Sequence, residues 1–160
     1  MPAPVLDRTD RKILDLLQRD GRLANVDLAE KVALSPSPCL RRVRALEEAG
    51  VIREYVALLD PARVGLGLLA YVNVKLEKRG KMPIEEFRRA VLGWPEVVAC
   101  YSMTGDMDYL LRVQVEDLDH YTRFMMDRLL KQAGVIDVKS NFVLERTKDT
   151  TALPLGHLGT

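Results

Sequence analysis

The sequence predicts an α+β protein in which a small helical domain precedes a ferredoxin-like βαββαβ sandwich. Two observations predict this fold class: apolar residues recur at helical spacing as far as about residue 49, and they alternate with polar residues from about residue 71 onward. Between the two patterns, Asp60-Pro61 and two nearby glycines are turn and breaker signals. We therefore predict an N-terminal domain over 1–57, a hinge over 58–66, a C-terminal domain over 67–146 and a tail over 147–160.

Composition excludes several classes of protein. The 160 residues are 48% apolar and 29% charged, with a formal net charge of +1, which is typical of a folding chain rather than a disordered one. The apolar stretches stop well short of the roughly 18 residues of a membrane span, and residues 1–9 do not have the pattern of a secretion signal. Cys39 and Cys100 stand alone, which disfavours a disulfide framework or a cysteine metal site. We expect a cytoplasmic protein with no membrane attachment, cofactor or metal.

Two short helices are predicted at the start of the N-terminal domain. The first follows Asp7, a favourable N-cap, and stops at Gly21. The second starts at Asn25, whose side chain can accept a hydrogen bond from a free amide, and ends near Leu34. Each helix has one apolar face, so both are expected to pack on a common core.

A third helix is predicted over about 36–49. Ser35-Pro36 is a strong start signal, because the hydroxyl caps free amides and proline at the first helical position loses no hydrogen bond; Gly50 is the stop signal. Residues 51–59 are expected to be extended, since Tyr55-Val56 favours a strand. Three helices joined by tight turns and followed by a strand predict a winged-type helix-turn-helix domain.

The C-terminal domain is predicted from strand-like alternation and two amphipathic helices. Its elements are, in order, a strand around 72–76, a helix over 83–93, strands over 97–103 and 109–116, a helix from 117, and a strand over 135–144. The second helix is expected to bury Leu118, Tyr121, Met125 and Leu129. In this order both helices cover one face of an antiparallel sheet, and the free face is expected to pack on another copy of the chain. The tail has no clear periodicity and is available to pack on a neighbour.

The third helix is predicted to have a core side and a cationic side. At about 100° per residue, the core side carries Cys39, Leu40, Val43 and Leu46, and the other carries Ser37 and Arg41, flanked by Arg42 and Arg44. Arginine can bridge guanine acceptors or hold phosphate oxygens. A cationic helix face alone is more often a solvated surface, but the third helix of a three-helix unit is where helix-turn-helix proteins contact DNA.

The turn between the second and third strands is a second candidate site. Its sequence is Thr-Gly-Asp-Met-Asp, over 104–108. Gly105 can adopt backbone conformations that expose amides to a ligand carboxylate, and Asp106 or Asp108 could pair with an ammonium group. Without further context, the same sequence is more often a plain hairpin connection. An acid/base role for the two aspartates in an enzyme, and an assembly module without a DNA target, also remain open.

Residues 34–52, LSPSPCLRRVRALEEAGVI, strongly resemble the leucine-responsive/asparagine-responsive (Lrp/AsnC) family of transcriptional regulators. Comparable residues also occur at Leu6-Asp7, Gly21-Arg22, 55–61 and 104–111. The resemblance implies an N-terminal DNA-binding domain and a C-terminal domain, often called the RAM domain, that dimerises and senses amino acids. It also implies dimers that assemble into octamers, an approximately palindromic operator, a nucleoid-associated location and no enzyme activity.

The resemblance assigns candidate residues to both sites. DNA contact is expected at Ser35, Ser37, Pro38, Arg41, Arg42 and Arg44, and effector contact at Met103, Thr104, Gly105, Asp106, Asp108 and Ser140. The chain departs from the family in its last strand, where many relatives have two threonines and this chain has Val138 and Ser140. Met103 and Met107 favour an apolar amino acid, leucine or methionine, as the effector.

Overall fold

The computed structural model describes residues 5–77 and 82–158, and they form two compact units. Residues 5–58 with 148–158 form the first unit, and residues 59–77 with 82–147 form the second. The predicted tail therefore belongs with the N-terminal helices from residue 148 to residue 158, while residue 147 belongs to the second unit. The last two residues of the tail, and residues 1–4 of the predicted N-terminal domain, lie outside the described chain. No helix within the described ranges is long and apolar enough to cross a membrane.

The first unit contains three helices: α1 at Arg8–Leu17, α2 at Asn25–Lys31 and α3 at Pro36–Glu48. Asp7 caps α1 as predicted, in a reciprocal pair with Asp10. Its Oδ1 accepts a hydrogen bond from the Asp10 amide at 2.8 Å, and Asp10 Oδ2 accepts one from the Asp7 amide at 3.1 Å. This capping box satisfies two of the free amides at the helix start.

One predicted N-cap residue is wrong, and a second lacks its predicted side-chain hydrogen bond. Ala24 occupies the N-cap position of α2, and the side chain of Asn25 instead donates to the Pro36 carbonyl at 2.9 Å, which links α2 to the start of α3. Ser35 is the N-cap residue of α3 but makes no side-chain capping bond. Helix α2 also stops before Leu34, because Ala33 adopts a φ of 57° and leaves the helical conformation.

The core of the first unit corrects the prediction for Leu40. The buried side chains are Ile13, Leu28, Ala29, Val32, Cys39, Val43 and Leu46. Leu40 is instead 38% exposed. At about 100° per residue, Val43 and Leu46 lie within about 40° of Cys39, whereas Leu40 lies about 100° away, on the side of Arg44. Leu40 therefore lies on the outer face of α3 and does not belong to the core, although it is apolar.

The segment after α3 forms no hydrogen-bonded strand within the described chain. Its position is set by Tyr55, whose hydroxyl donates to Glu47 Oε1 at 3.0 Å and whose ring lies on Gly21. A β-carbon at Gly21 would be 3.2 Å from the Tyr55 ring, so glycine permits this approach. Burial, together with the hydrogen bond to Glu47, raises the pKa of Tyr55 to about 12.

The tail is hydrogen-bonded to α1 of its own chain. The Gln18 side-chain amide donates to the Leu153 carbonyl at 3.0 Å, and its oxygen accepts from the Leu153 amide at 2.8 Å. Arg11 donates to the Leu158 carbonyl at 3.2 Å. The neighbour on which the tail packs is therefore the helical unit itself.

The second unit is the predicted ferredoxin-like βαββαβ sandwich. Its elements are β1 at Leu68–Leu76, α4 at Met82–Leu92, β2 at Val97–Ser102, β3 at Tyr109–Val115, α5 at Leu118–Phe124 with a π-helical extension at Met125–Leu129, and β4 at Val135–Phe142. The sheet order is β2-β3-β1-β4, and every neighbouring pair is antiparallel. The four strands and two helices follow the order that the sequence predicts.

One sheet face packs on the helices and the other is open. Val72, Val74 and Leu76 of β1 point to the helix side, where Phe87 of α4 and Phe124 of α5 complete the core. Tyr71 of β1 and Tyr101 of β2 belong to the open face by strand alternation, and both are exposed.

The prediction that Leu118 lies on the inner face of α5 is wrong. Leu118 is 59% exposed, because the buried row begins one turn later, at Tyr121, and continues through Phe124 to Leu129. The spacing of five between Phe124 and Leu129 spans the π-helical extension. Met125 is partly buried against the same core.

Candidate DNA interface and effector site

The exposed side of α3 forms a continuous face. Six side chains three or four residues apart line a shallow hollow of about 430 Å³: Ser37, Leu40, Arg41, Arg44, Ala45 and Glu48. Within the described ranges, Arg41 and Arg44 have no hydrogen-bond or ion-pair partner. The N–H donors of both guanidinium groups are therefore free to bind acceptors of a molecule that docks on this face.

The first turn of α3 has few backbone donors. Pro36 and Pro38 carry no amide hydrogen, which leaves the Ser37 amide in this turn, and the Cys39 amide donates to the Ser35 carbonyl at 3.2 Å. Ser35 and Ser37 are exposed, and Pro38 is half-buried. The two hydroxyls and the Ser37 amide are thus the polar groups with which this turn can contact a phosphate.

Arg42 lies apart from this face. Its Nη1 donates to Asp7 Oδ2 at 2.7 Å and to Asp10 Oδ1 at 2.8 Å, which ties α3 to the start of α1. The hydrogen bonds to Asp10 and Asp7 raise the pKa of Arg42, and the pKa of Asp7 is lowered first by the Asp10 amide and then by Arg42. The sequence places three arginines together, but the structure separates Arg42 from Arg41 and Arg44.

The turn after β2 is a closed hairpin connection held by Asp108. The Met103 amide donates to the Asp108 carbonyl at 2.8 Å, and the Asp108 amide donates to the Val74 carbonyl at 2.9 Å. Asp108 Oδ2 accepts a hydrogen bond from the Leu76 amide at 2.8 Å. Asp108 therefore anchors the turn to β1, and one of its two carboxylate oxygens is already occupied.

The tip of this turn is exposed. Gly105 has a φ of 111°, a conformation that side-chain-bearing residues rarely adopt, and Thr104 and Asp106 flank it at the surface. Ser140 is held elsewhere: it lies opposite Val72 in the sheet and hydrogen-bonds to the Tyr121 hydroxyl. The structure thus groups the predicted turn residues but does not bring Ser140 to them.

A hollow of about 160 Å³ lies beside the turn and carries both signs of charge. It is lined by Leu76, Glu77, Ile84, Arg88, Ser102, Met103, Asp108 and Tyr109. Arg88 supplies the positive charge, and its Nε donates to the Tyr109 hydroxyl at 3.0 Å. Glu77 and Asp108 supply the negative charge, while Ile84 and Met103 supply apolar surface. These groups match the carboxylate, ammonium and side chain of a free amino acid.

Arg88 and Glu77 are functional candidates that the sequence reasoning missed. Arg88 follows Ile84 by one helical turn, and Glu77 immediately follows β1. Charged residues at such positions are usually solvated. The pairing of β1 with β3 places Glu77 beside Asp108, and the packing of α4 beside β3 places Arg88 there.

The first unit has three helices, and the third carries two exposed arginines. The second unit is a sandwich with a hollow lined by both positive and negative side chains. Together these features define a DNA-binding regulator with a separate ligand-binding domain. Residues 6–53 match the family model described as winged helix-turn-helix DNA-binding, and residues 69–153 match the Lrp/AsnC ligand binding domain. The chain belongs to the Lrp/AsnC family of transcriptional regulators. It is a sequence-specific DNA-binding transcriptional regulator that responds to an amino-acid effector.

Similar proteins cover nearly the whole chain. The leucine-responsive regulatory proteins of Escherichia coli K12 and Salmonella typhimurium LT2 are each 41% identical over 152 residues, which is 95% of this chain and 93% of theirs. The crystal structure of a transcriptional regulator/L-Met complex from Neisseria meningitidis has a TM-score of 0.93 at 51% identity, covering 96% of this chain and 99% of that one. An AsnC family regulator from Agrobacterium tumefaciens has a TM-score of 0.89 at 45% identity, covering 95% and 99%.

Proposed function

We propose that α3 contacts an approximately palindromic operator in the major groove through Arg41 and Arg44. The observation that carries this assignment is that both guanidinium groups are free of partners in the described chain and lie on one exposed face. Ser35, Ser37 and Pro38, at the start of the helix, contact the neighbouring phosphates and sugars. Such contacts fix the register of a protein on DNA, while base-edge contacts in the groove specify sequence.

Arg42 has a different role in this proposal. Its Nη1 donates to two carboxylates at the start of the first helix, which holds the guanidinium against α1 and away from the face that Arg41 and Arg44 share. We assign Arg42 to positioning α3 on α1. This assignment revises the expectation that Arg42 contacts DNA.

For the effector, we propose L-leucine or L-methionine bound in the hollow beside the Gly105 turn. Arg88 pairs with the ligand carboxylate. Glu77 and the free carboxylate oxygen of Asp108 accept hydrogen bonds from the ligand ammonium group. Ile84 and Met103 then face the ligand side chain. The L-Met complex of the Neisseria meningitidis relative supports an apolar amino acid. Thr104, Gly105 and Asp106 form the exposed rim at the same turn.

We further propose that the open face of the sheet joins two copies of the chain and that dimers assemble into octamers. Tyr71 and Tyr101 are exposed on this face, and aromatic residues are enriched at protein interfaces. Arg112 lies on the same side of β3, and its buried Nε has no acceptor within the described residues. A two-fold dimer would place two recognition helices on the two halves of a palindrome.

We propose no catalytic function. The carboxylate of Asp108 is hydrogen-bonded to the Leu76 amide, and we assign its free oxygen to the ligand ammonium group rather than to acid/base chemistry with Asp106. Asp106 is exposed at the tip, where water surrounds it. DNA binding makes the nucleoid the expected place of action.

Calorimetry with a matched pair of variants tests the effector site. Arg88→Gln removes the proposed carboxylate partner, and Arg89→Gln removes a neighbouring exposed arginine outside the hollow. We expect L-leucine or L-methionine to bind the parent and Arg89→Gln with equal affinity and to bind Arg88→Gln at least tenfold more weakly, since a charge-assisted pair is lost. Equal binding to both variants would remove the hollow from the proposal.

A further inference from the structure

Leu40 is a large apolar side chain exposed among polar and charged neighbours on α3. It is 38% exposed, whereas Cys39, Val43 and Leu46 of the same helix are at most 9% exposed. It contributes to the wall of the hollow that Arg41 and Arg44 also line. A single exposed leucine needs no explanation by itself, but Leu40 lies beside two exposed arginines, and their binding partner determines which surface Leu40 contacts.

The neighbours of Leu40 fix its relation to a DNA groove. Arg44 is one helical turn along the same row, and Arg41 is the next residue around the helix. When these arginines reach base or phosphate acceptors of a DNA duplex, Leu40 faces the base edges beside them, on the side of Arg44. Leucine has no hydrogen-bonding atom, so a polar base edge placed against it would lose its water without a replacement partner.

The one projecting apolar group that a base pair presents in the major groove is the C5-methyl group of thymine. We propose that Leu40 is a specificity-determining residue that recognises a thymine methyl group in each operator half-site. This inference rests on the proposed docking of α3 in the major groove. It adds that the half-site contains a thymine at a fixed distance from the bases or phosphates held by Arg41 and Arg44.

Replacement of thymine by deoxyuridine tests the inference, because it deletes only the methyl group. The full-length protein is first used to enrich duplexes from a random-sequence 40-bp library, so that the protein itself selects the probe. Thymines of the tightest duplex are then replaced in symmetric pairs, and binding is followed by fluorescence anisotropy. We expect one pair at which the parent loses affinity about fourfold per half-site, from about 0.8 kcal/mol for each buried carbon group.

Substitutions at Leu40 test whether this loss of DNA affinity depends on the Leu40 side chain. Leu40→Ala is expected to bind the thymine and deoxyuridine duplexes equally at the sensitive pair, and Leu40→Val to show a reduced difference. Leu118→Ala, the same substitution at another exposed leucine, is the matched control and is expected to discriminate as the parent does. Because Leu40 lies outside the core, the melting temperature of Leu40→Ala should stay near that of the parent.

The outcomes separate this inference from the proposed function. A library from which the protein enriches no duplex would overturn the DNA-docking proposal and this inference with it. An enriched duplex with no methyl-sensitive thymine, or with a methyl sensitivity that Leu40→Ala retains in full, would overturn the role of Leu40 alone.

Discussion

Replacing Arg41 and Arg42 separately with alanine should give opposite results, although the two residues are adjacent. Arg41 has no partner within the described chain and is exposed, so Arg41→Ala should change stability by less than about 0.5 kcal/mol. Loss of a bidentate base contact should cost about 1–3 kcal/mol per half-site, which is about fivefold to 150-fold in affinity. If Arg41 contacts a phosphate instead, the salt slope should fall by about 1.

Arg42→Ala should mainly reduce stability. It removes hydrogen bonds of 2.7 and 2.8 Å and leaves the carboxylates of Asp7 and Asp10 without their shared cation. Hydrogen bonds to charged groups contribute about 1.5–3 kcal/mol when shielded, but Asp7 is half-exposed, so we expect a loss nearer 1 kcal/mol. That corresponds to about 4–8 °C in the melting temperature of a unit of this size.

Calorimetric melting and fluorescence anisotropy at several salt concentrations, on the duplex enriched by the parent, separate the two effects. Arg44→Ala serves as a second exposed arginine and should behave like Arg41→Ala. The reasoning would be refuted if folded Arg41→Ala bound DNA like the parent while Arg42→Ala lost DNA affinity with no change in melting temperature.

Two further predictions concern stability. Gly134→Ala should destabilise more than Gly65→Ala, by roughly 1–3 kcal/mol in urea unfolding: both glycines have a φ near 85°, but a β-carbon at Gly134 would lie 2.6 Å from Pro83 Cβ, whereas nothing lies within 4 Å at Gly65. Equal losses would contradict the steric argument. Since the pKa of Tyr55 is raised to about 12, the unfolded chain loses this proton first as pH rises above about 10. Stability should therefore fall between pH 10 and 12 more steeply in the parent than in Tyr55→Phe, as followed by thermal melting. Identical profiles would argue against the burial of the Tyr55 hydroxyl and its hydrogen bond to Glu47.

The sequence predicts the helices and strands well, because apolar residues recur with a different period in a helix and in a strand. Alternation in β1 and the helical spacing of α4 are local signals, and both elements form close to the predicted positions. The predicted end of a helix is wrong where a single backbone angle determines where the helix stops. The positive φ of Ala33 ends α2 early, and no residue pattern announces it.

The sites are less predictable because they depend on partners distant in sequence. The side chain of Arg42 pairs with carboxylates more than 30 residues away, and that of Asp108 bonds to an amide 32 residues away. Leu40 has the hydrophobicity of a core residue, yet its angular position at the flank of the buried stripe leaves it exposed. Arg88 reaches the hollow only through the packing of α4 beside β3.

The central claim is that an amino acid bound by the second unit changes DNA binding by the first. Such coupling requires differential affinity for two states, and it must be reciprocal. The direct measurement is the affinity for the enriched duplex at zero and saturating L-leucine or L-methionine, together with the affinity for that amino acid with and without duplex. We predict that both affinities change by the same factor. A bound amino acid that leaves DNA affinity and assembly unchanged would contradict the account.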